Sequence, residues 1–286
     1  MRTVYAIVVN YNNFDDTAEC IDSLLNQTYP CRVVVVDNGS EREVIEKLRR
    51  KYPQVEMLEL GENRGYAGGC NAGIRAVIDK ADYVLISNND VVFERDAVER
   101  MVSEMEEDET IAACQPVVKY YGDERIWSAG TRIFLGYPVL HLKNKMVEVE
   151  ISFDSPFGLV GCAMLIRSSA LKDVGFFDEE LFMMHEETEW CIRARKKGYR
   201  LAVCKAVVRH KVSASLGLFS PHYLYYTARN WLIVARRAGK AMFFYALITE
   251  PLRVLYYLVR LKRKGDIIQY LKGVVHGILS RKGRRC

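Results

Sequence analysis

Several patterns that would fix a function class are missing from this 286-residue chain. Its eight cysteines, at positions 20, 31, 70, 114, 162, 191, 204 and 286, include no C-x-x-C pair, and no histidines stand near them at zinc-finger spacing. That excludes a zinc module and a disulfide framework, and the thiols read as reduced, mostly core groups. The opening MRTVYAIVVNYNN has one basic residue and a short apolar run that breaks into Asn and Tyr, so it lacks the form of a secretory signal and a cytoplasmic location is expected. There is no G-x-G-x-x-G fingerprint and no P-loop lysine, which disfavours a dinucleotide or ATP site. Internal repeats and low-complexity tracts are also absent. Half of the residues are hydrophobic and 27% are charged, enough to bury a full-sized core and to exclude global disorder.

The net charge of +5 is unevenly placed. From Arg229 to the end there are 14 Lys/Arg against 2 Asp/Glu, a balance of +12, which leaves −7 for the first 228 residues. The basic character belongs to the tail. A nucleic-acid-binding reading is weakened because that tail interleaves its charge with aliphatic runs, while the first part of the chain gathers acids and amides.

Hydrophobic patterning gives the architecture. The run VYAIVV, residues 4–9, closes on Asn10, Tyr11, Asn12 and Asn13, as a buried strand entering a polar loop does. A helix capped by Asp15 or Asp16 follows, with Ala18, Ile21, Leu24 and Leu25 on one face. RVVVVDNGS repeats the theme, then come a helix through Val44, Ile45 and Leu48, a strand over 55–60, a glycine-rich loop GENRGYAGGCNAG, and a strand over 83–87 that runs into NND. Strands alternating with amphipathic helices predict an α/β fold with a mostly parallel central sheet flanked by helices. From 112 to 150 the helix rhythm gives way to aromatics and turns, which predicts an antiparallel, partly exposed extension suited to a second substrate. A buried strand over 157–167, with Gly158 and Gly161 permitting close backbone approach, a helix from about Glu186 to Gly198, and a strand over 201–208 follow.

Beyond PHYLYYTARNWLIVARR, which reads as helix, AMFFYALITEPLRVLYYLVRLKRK carries a long apolar face interrupted by Glu250, Pro251 and Arg253. Two charges and a proline in mid-segment argue against a bilayer span. An interfacial amphipathic helix on an anionic membrane surface is expected, with a helix packed on the catalytic domain as the alternative.

Three strand ends within the first 90 residues carry polar clusters, and ligands of open α/β sheets sit at the carboxyl ends of strands. Asp90 is a hard-oxygen ligand for a divalent ion, whose remaining positions phosphates and waters would fill. Asn88 and Asn89 offer amides to ribose or phosphate. Tyr11 can stack on a base, and Asp37 can accept from a base N–H or a ribose hydroxyl. The glycine-rich loop, with Gly65 and Asn71, would bring backbone close to a nucleotide. HEETEW sets Glu186, Glu187 and Glu189 at a helix start behind an apolar, methionine-rich loop, and an apolar surround raises a carboxylate's pKa and sharpens its basicity. His210, at a strand end before KVSAS, is either structural or a metal ligand.

The ordered set VVNYNN, VVVVDNGS, NRGYAGGCNAG, SNND, a Glu-Glu-x-Glu helix start and a strand-terminal histidine resembles family 2 glycosyltransferases of the GT-A fold, particularly the rhamnosyltransferase-like branch, over about residues 3–237. The resemblance implies Tyr11 and Asp37 against base and ribose, Asn89 near the ribose, Asp90 on Mg2+ or Mn2+, His210 at the metal or diphosphate, and Glu187 as catalytic base. It implies an inverting single displacement from a nucleoside-diphosphate sugar, with thymidine diphosphate-rhamnose as leading donor, to a lipid-linked or growing glycan. The expected organisation is a GT-A domain over 1–237, divided into a nucleotide half (1–110) and an acceptor half (111–237), followed by a basic helical tail over 238–286. Three departures stand out. N-N-D replaces the family's D-x-D, Glu187 replaces an aspartate, and Cys70 precedes Asn71 where relatives carry arginine. The second reading from the residues is a sugar nucleotidyltransferase, against which stands an N-terminal region holding Asn and Tyr rather than a basic phosphate-gripping loop.

Overall fold

A computed structural model describes residues 1–146, 153–154, 157–212, 220–260 and 264–284 of the chain. The run of KVSAS beyond residue 212, the end of the 112–150 segment and the basic residues 261–263 lie outside the described residues.

The β-branched runs of the N-terminal half form strands β1 (Val4–Asn10), β2 (Cys31–Asp37), β3 (Glu56–Glu59) and β4 (Tyr83–Asn88), all parallel in the order β3-β2-β1-β4. Every residue of β1 is buried, as a strand covered on both faces requires. Helices α1 (Phe14–Leu25) and α2 (Arg42–Lys51) connect the first three strands. Asn13, rather than Asp15 or Asp16, caps α1, its side chain accepting the Asp16 N–H.

The glycine-rich stretch is a correction. Residues expected as loop form helix α3 (Gly65–Val77). Glycine disfavours helix by about 1 kcal/mol per residue relative to alanine, but here Gly69 and Gly73 face the sheet. A Cβ on Gly69 would lie 2.8 Å from Val9 Cγ1, and one on Gly73 would lie 2.4 Å from Ile7 Cγ2. Their lack of side chain lets α3 sit directly on β1.

The second half also departs from expectation. Ile111–Tyr120 forms β6, a ten-residue, mostly buried strand inside the main sheet rather than part of a peripheral extension. Pro116 hid it, and the structure accommodates that proline where the pairing with β12 (Arg200–His210) shifts register between Cys204 and Val207. Short strands β7 (Ile126–Ser128), β8 (Thr131–Phe134) and β9 (Tyr137–Leu140) follow, the last two as a separate hairpin. β10 (Phe153–Asp154) pairs at the sheet edge, and β11 (Ala163–Arg167) runs antiparallel between β4 and β6. The short β5 (Val91–Phe93) pairs antiparallel with the end of β12, setting Val91 opposite His210. Helices α4 (Ala97–Glu107), α5 (Ser168–Val174) and α6 (Glu186–Lys196) cover the sheet.

Three helices end the described chain: α7 (Pro221–Ala238), α8 (Lys240–Arg260) and α9 (Lys264–Ile278). α9 lies close against α7, because Gly273 and Gly277, one turn apart, meet the Tyr225 and Arg229 carbonyls where a Cβ would clash. In α8 the charges that interrupt its sequence turn inward, Glu250 pairing with Arg253 and accepting from Tyr270 Oη at 2.5 Å. Phe244, Ile248, Leu252, Leu255 and Val259 form one exposed apolar stripe on its outer face. By length and composition alone α8 would suffice to cross a membrane.

Candidate active site

The carboxyl ends of β1, β2 and β4 meet through buried side chains. Asn10 donates from Nδ2 to Asp37 Oδ1 at 3.0 Å and to Ser40 Oγ at 3.1 Å. Its Oδ1 accepts from Thr17 Oγ1 at 2.9 Å, and Thr17 Oγ1 accepts from Asn89 Nδ2 at 2.9 Å. Asn10 and Thr17 are completely buried, so this relay fixes three strand ends to each other. Asp37 Oδ2 accepts the backbone N–H groups of Gly39 and Ser40, closing a turn. Asn38 fastens the next loop, accepting from Arg64 N at 2.9 Å and donating to the Gly65 carbonyl at 3.0 Å. Gly65 adopts a φ of 75°, and a Cβ there would stand 2.2 Å from the Phe182 carbonyl, so only glycine lets the two loops touch. Tyr11 sits at the rim, 48% exposed.

The expected residues therefore separate. Tyr11, Asp37, Gly65, Asn88, Asn89 and Asp90 gather at or beside the strand ends. Asn71 lies within α3, where it donates to the Phe177 carbonyl and Glu179 Oε1 and accepts from Phe177 N.

Asp90 and His210, 120 residues apart, become neighbours through the β5–β12 pairing. His210 Nε2 lies 3.1 Å from Asp90 Oδ1, and both side chains are buried. The contact lacks hydrogen-bond alignment, which leaves Asp90 Oδ1 without a hydrogen-bond partner among the described residues, and His210 Nδ1, on the other side of the ring, has none there either. Burial pushes the Asp90 carboxyl up, but His210 and the Asn88 amide outweigh it and hold it below its ordinary value. An ionised, buried carboxylate with an unpaired oxygen beside an imidazole is a donor set that fits a hard divalent cation with ligand positions left for phosphate and water. Trp127 packs edge-on to the His210 ring at 4.6 Å, fixing its plane. Next in sequence, Lys211 is held by Asp16 at 2.5 Å and Glu19 at 2.6 Å.

Three carboxylates at the start of α6 take different environments. Glu189 is bound by Arg193 at 2.8 Å and Arg237 at 2.9 Å, which commits it to structure. Glu186 is buried with Oε2 unpartnered among the described residues, and burial followed by the charge of Glu187 raises its pKa well above the ordinary value. Glu187 is partly open, and burial pushes it up to about 7 against the opposing pull of backbone N–H groups and the Thr188 hydroxyl. A helix N-terminus lowers a carboxylate pKa by well under one unit's worth of energy in most settings; enclosure wins here. Burial thus favours the neutral form of Glu186, whereas Glu187, pushed up to about 7, exchanges its proton near physiological pH.

The strand-end cluster and the start of α6 come together at Gly161 and Cys162, just before β11. The Cys162 carbonyl accepts the Asn88 N–H at 2.9 Å, and the Gly161 Cα points at Glu187, whose Cβ lies 3.5 Å from where a Cβ would stand. Tyr66 Oη donates to the Gly161 carbonyl at 2.7 Å. One peptide thereby separates the Asn88–Asp90 turn from the Glu187 side chain.

The sequence profile of Glycosyl transferase family 2 matches residues 5–175, more than half of the chain. The chain belongs to glycosyl transferase family 2. It is a glycosyltransferase with a GT-A fold, of a family whose members invert the configuration of the transferred sugar. The low-salt glycan biosynthesis hexosyltransferase Agl10 of Haloferax volcanii is 22% identical over 97% of this chain and 92% of its own length. The N-acetylglucosaminyl-diphospho-decaprenol L-rhamnosyltransferase of Mycobacterium tuberculosis is 26% identical over 66% of this chain and 69% of its own. Among solved structures, the mannosyltransferase PcManGT of Pyrobaculum calidifontis, in complex with GDP-Man and Mn2+, superposes with a TM-score of 0.63 at 16% identity, covering 98% of this chain and 87% of that one. The last likeness establishes the fold.

Sequence reasoning missed Thr17, Asn38, Lys211 and Gly161 as contributors to this site. Asn38 had a local signal, its place in DNGS, and Gly161 was legible as permitting close backbone approach but not as part of the site; Thr17 and Lys211 act through contacts that chain order does not announce.

Proposed function

We propose that the protein transfers a sugar, rhamnose in the leading case, from a nucleoside-diphosphate sugar to a hydroxyl of a lipid-linked or growing glycan, by single displacement with inversion. The observation that carries this reading is that the Glu187 side chain, its carboxyl shifted to about 7, packs on Gly161, while the neighbouring Cys162 carbonyl is bonded to the Asn88 N–H at the turn that carries Asp90 and, through it, His210.

Tyr11, Asp37 and Asn89 border the nucleoside, with Asn88 beside the phosphates; Gly65 and Asn71 belong to the segment behind it. Asp90 and His210 would hold Mg2+ or Mn2+. When bound, such an ion neutralises the charge that builds on the departing diphosphate. Glu187 takes the proton of the acceptor hydroxyl while the hydroxyl oxygen bonds to the anomeric carbon from the face opposite the nucleotide, and the bond from that carbon to the diphosphate breaks to release the nucleoside diphosphate. A pKa near 7 suits this role, because about half of the base is ionised near neutral pH while it stays a strong proton acceptor. The burial of Glu186 favours its neutral form and so disfavours a second negative charge that would repel the leaving group.

The apolar stripe of α8, continued by exposed Ile268, Leu271 and Val275 of α9, supports residence at the cytoplasmic face of an anionic membrane. Residues 238–286, with 11 Lys/Arg against 2 Asp/Glu, complement such a surface. On this reading 1–237 is the transferase domain, with 1–110 holding the donor and 111–237 the acceptor, and 238–286 the membrane-facing unit. The Mycobacterium relative's name carries a diphospho-decaprenol acceptor, which agrees with a lipid-linked substrate here.

Labelled nucleotide sugars incubated with Mn2+ and acceptor-bearing membranes test the reaction class. Labelled glycan and free nucleoside diphosphate are expected; pyrophosphate release would overturn the reading in favour of nucleotidyl transfer.

A further inference from the structure

The catalytic carboxylates follow a segment, Leu181 to His185, with an unusual backbone. Phe182, Met184 and His185 all have positive φ, 67°, 68° and 68°, and none is glycine. L-residues enter this region only where their surroundings over-determine it. His185 immediately precedes α6 and gives that helix no side-chain cap, so the geometry of Glu186 and Glu187 depends on how firmly the segment is held.

What holds it is Asn230, in the RNW run of α7. Its Nδ2 approaches the carbonyls of Leu181 at 2.9 Å, Met183 at 2.6 Å and Met184 at 2.8 Å. Asn230 is fully buried. Arg229 aims it, donating from Nε to Asn230 Oδ1 at 2.8 Å and from Nη2 to the Leu181 carbonyl at 2.9 Å. The Arg229 guanidinium is itself buried, lies 4.7 Å over the Tyr226 ring, and donates to the Gly283 carbonyl. An arginine spent on backbone carbonyls rather than on a carboxylate is costly to bury. Its oriented fork is what fixes the amide so that Nδ2, not Oδ1, faces the carbonyls.

We infer that Asn230, oriented by Arg229, is a positioning residue that sets the Glu187 carboxylate toward the acceptor hydroxyl by clamping the carbonyls of the 181–184 turn. The inference rests on the reading of Glu187 as base. The clamp touches no substrate, and its effect is on the geometry from which the proton is taken, where a displacement of about 1 Å lowers rate by about a hundredfold.

The test uses the full chain. Asn230→Asp keeps the shape and the bond from Arg229 but sets a carboxylate oxygen against three carbonyls; Asn230→Ala removes the clamp; Arg229→Lys keeps the charge and loses the alignment. Each is expected to lower kcat by about 10- to 100-fold with donor KM within about twofold of wild type, while the acid limb of the kcat–pH profile moves from near 7. Asn230→Gln, which retains the donor, recovers part of the loss. In the Asn230→Ala/Glu187→Gln double variant the losses do not add, because both act on one step. Additive losses, or a lower melting temperature with normal turnover of the folded fraction, would overturn this inference and leave the base assignment standing. Full activity in Glu187→Gln alone would overturn the base assignment and the clamp with it. Where an Asn230 variant does not fold, Arg229→Lys gives the same discrimination.

Discussion

Replacing Glu187 by glutamine removes the proton acceptor while keeping size and polarity, and the structure sets three linked magnitudes for that change. Positioned general bases contribute about 10²- to 10⁴-fold, so kcat should fall by that factor while donor affinity, governed by the strand-end cluster and the Asp90–His210 pair, holds. In the wild type the base must be ionised, so kcat rises with pH up to about 7 and then levels; the variant's residual rate should lack that limb. Stability follows with opposite sign. A carboxyl raised from 4.5 to about 7 binds its proton more tightly in the folded state. It therefore contributes stability that is fully present below the unfolded value and lost as pH rises through the folded one. The shift is worth about 3 kcal/mol at about 1.4 kcal/mol per unit, and solvent on the open side of Glu187 reduces this to about 2 kcal/mol. Glu187→Gln should thus gain about 2 kcal/mol on wild type between pH 4 and pH 8, or several degrees in melting temperature. Stopped assays over pH 5–9 with calorimetry at pH 4 and pH 8 measure all three. A variant with near-normal kcat, or one whose stability relative to wild type is the same at pH 4 and pH 8, would refute the reasoning.

Other expectations follow from the same structure. Asp90→Asn removes the only ionised oxygen of the Asp90–His210 pair and should abolish Mn2+-dependent thermal stabilisation by nucleotide sugars, with His210→Gln weakening it; unchanged titrations would count against the metal assignment. Gly73→Ala should destabilise by about 1–3 kcal/mol despite alanine's helix advantage of about 1 kcal/mol, because its Cβ would stand 2.4 Å from Ile7 Cγ2 and 3.0 Å from Val36 Cγ2 in a packed interior. A chemical denaturation curve decides the sign. Ile248→Lys with Leu255→Lys, positions 76% and 58% exposed, should leave folding intact and release the protein from vesicles containing anionic lipid; equal retention of the double variant would exclude the α8 stripe as the contact.

The parallel half of the sheet was legible because its strands are uninterrupted β-branched runs, each ending abruptly on amides and carboxylates. Where packing overrode local preference, the sequence misled. Gly69 and Gly73 look like loop formers, yet their bare faces are what let α3 rest on β1 and β2. Pro116 looks like a breaker, yet a register shift takes it into a central strand. The same limit applies to the site. Asp90 could be picked out as a strand-end carboxylate, but its contact with His210 depends on the pairing of β5 with a strand more than a hundred residues later. The charges of α8 looked like breaks in an apolar face, and only the fold reveals Glu250 and Arg253 satisfying each other beneath a continuous apolar surface. Asn230 carries no signal at all until the 181–185 backbone is seen.

The most direct test of the account is the anomeric configuration of the first product, read by NMR from a single turnover with a nucleotide sugar of defined anomer. Attack from the face opposite the nucleotide, with Glu187 as base, predicts a product of inverted configuration and one nucleoside diphosphate released per sugar transferred; a product with retained configuration would contradict it.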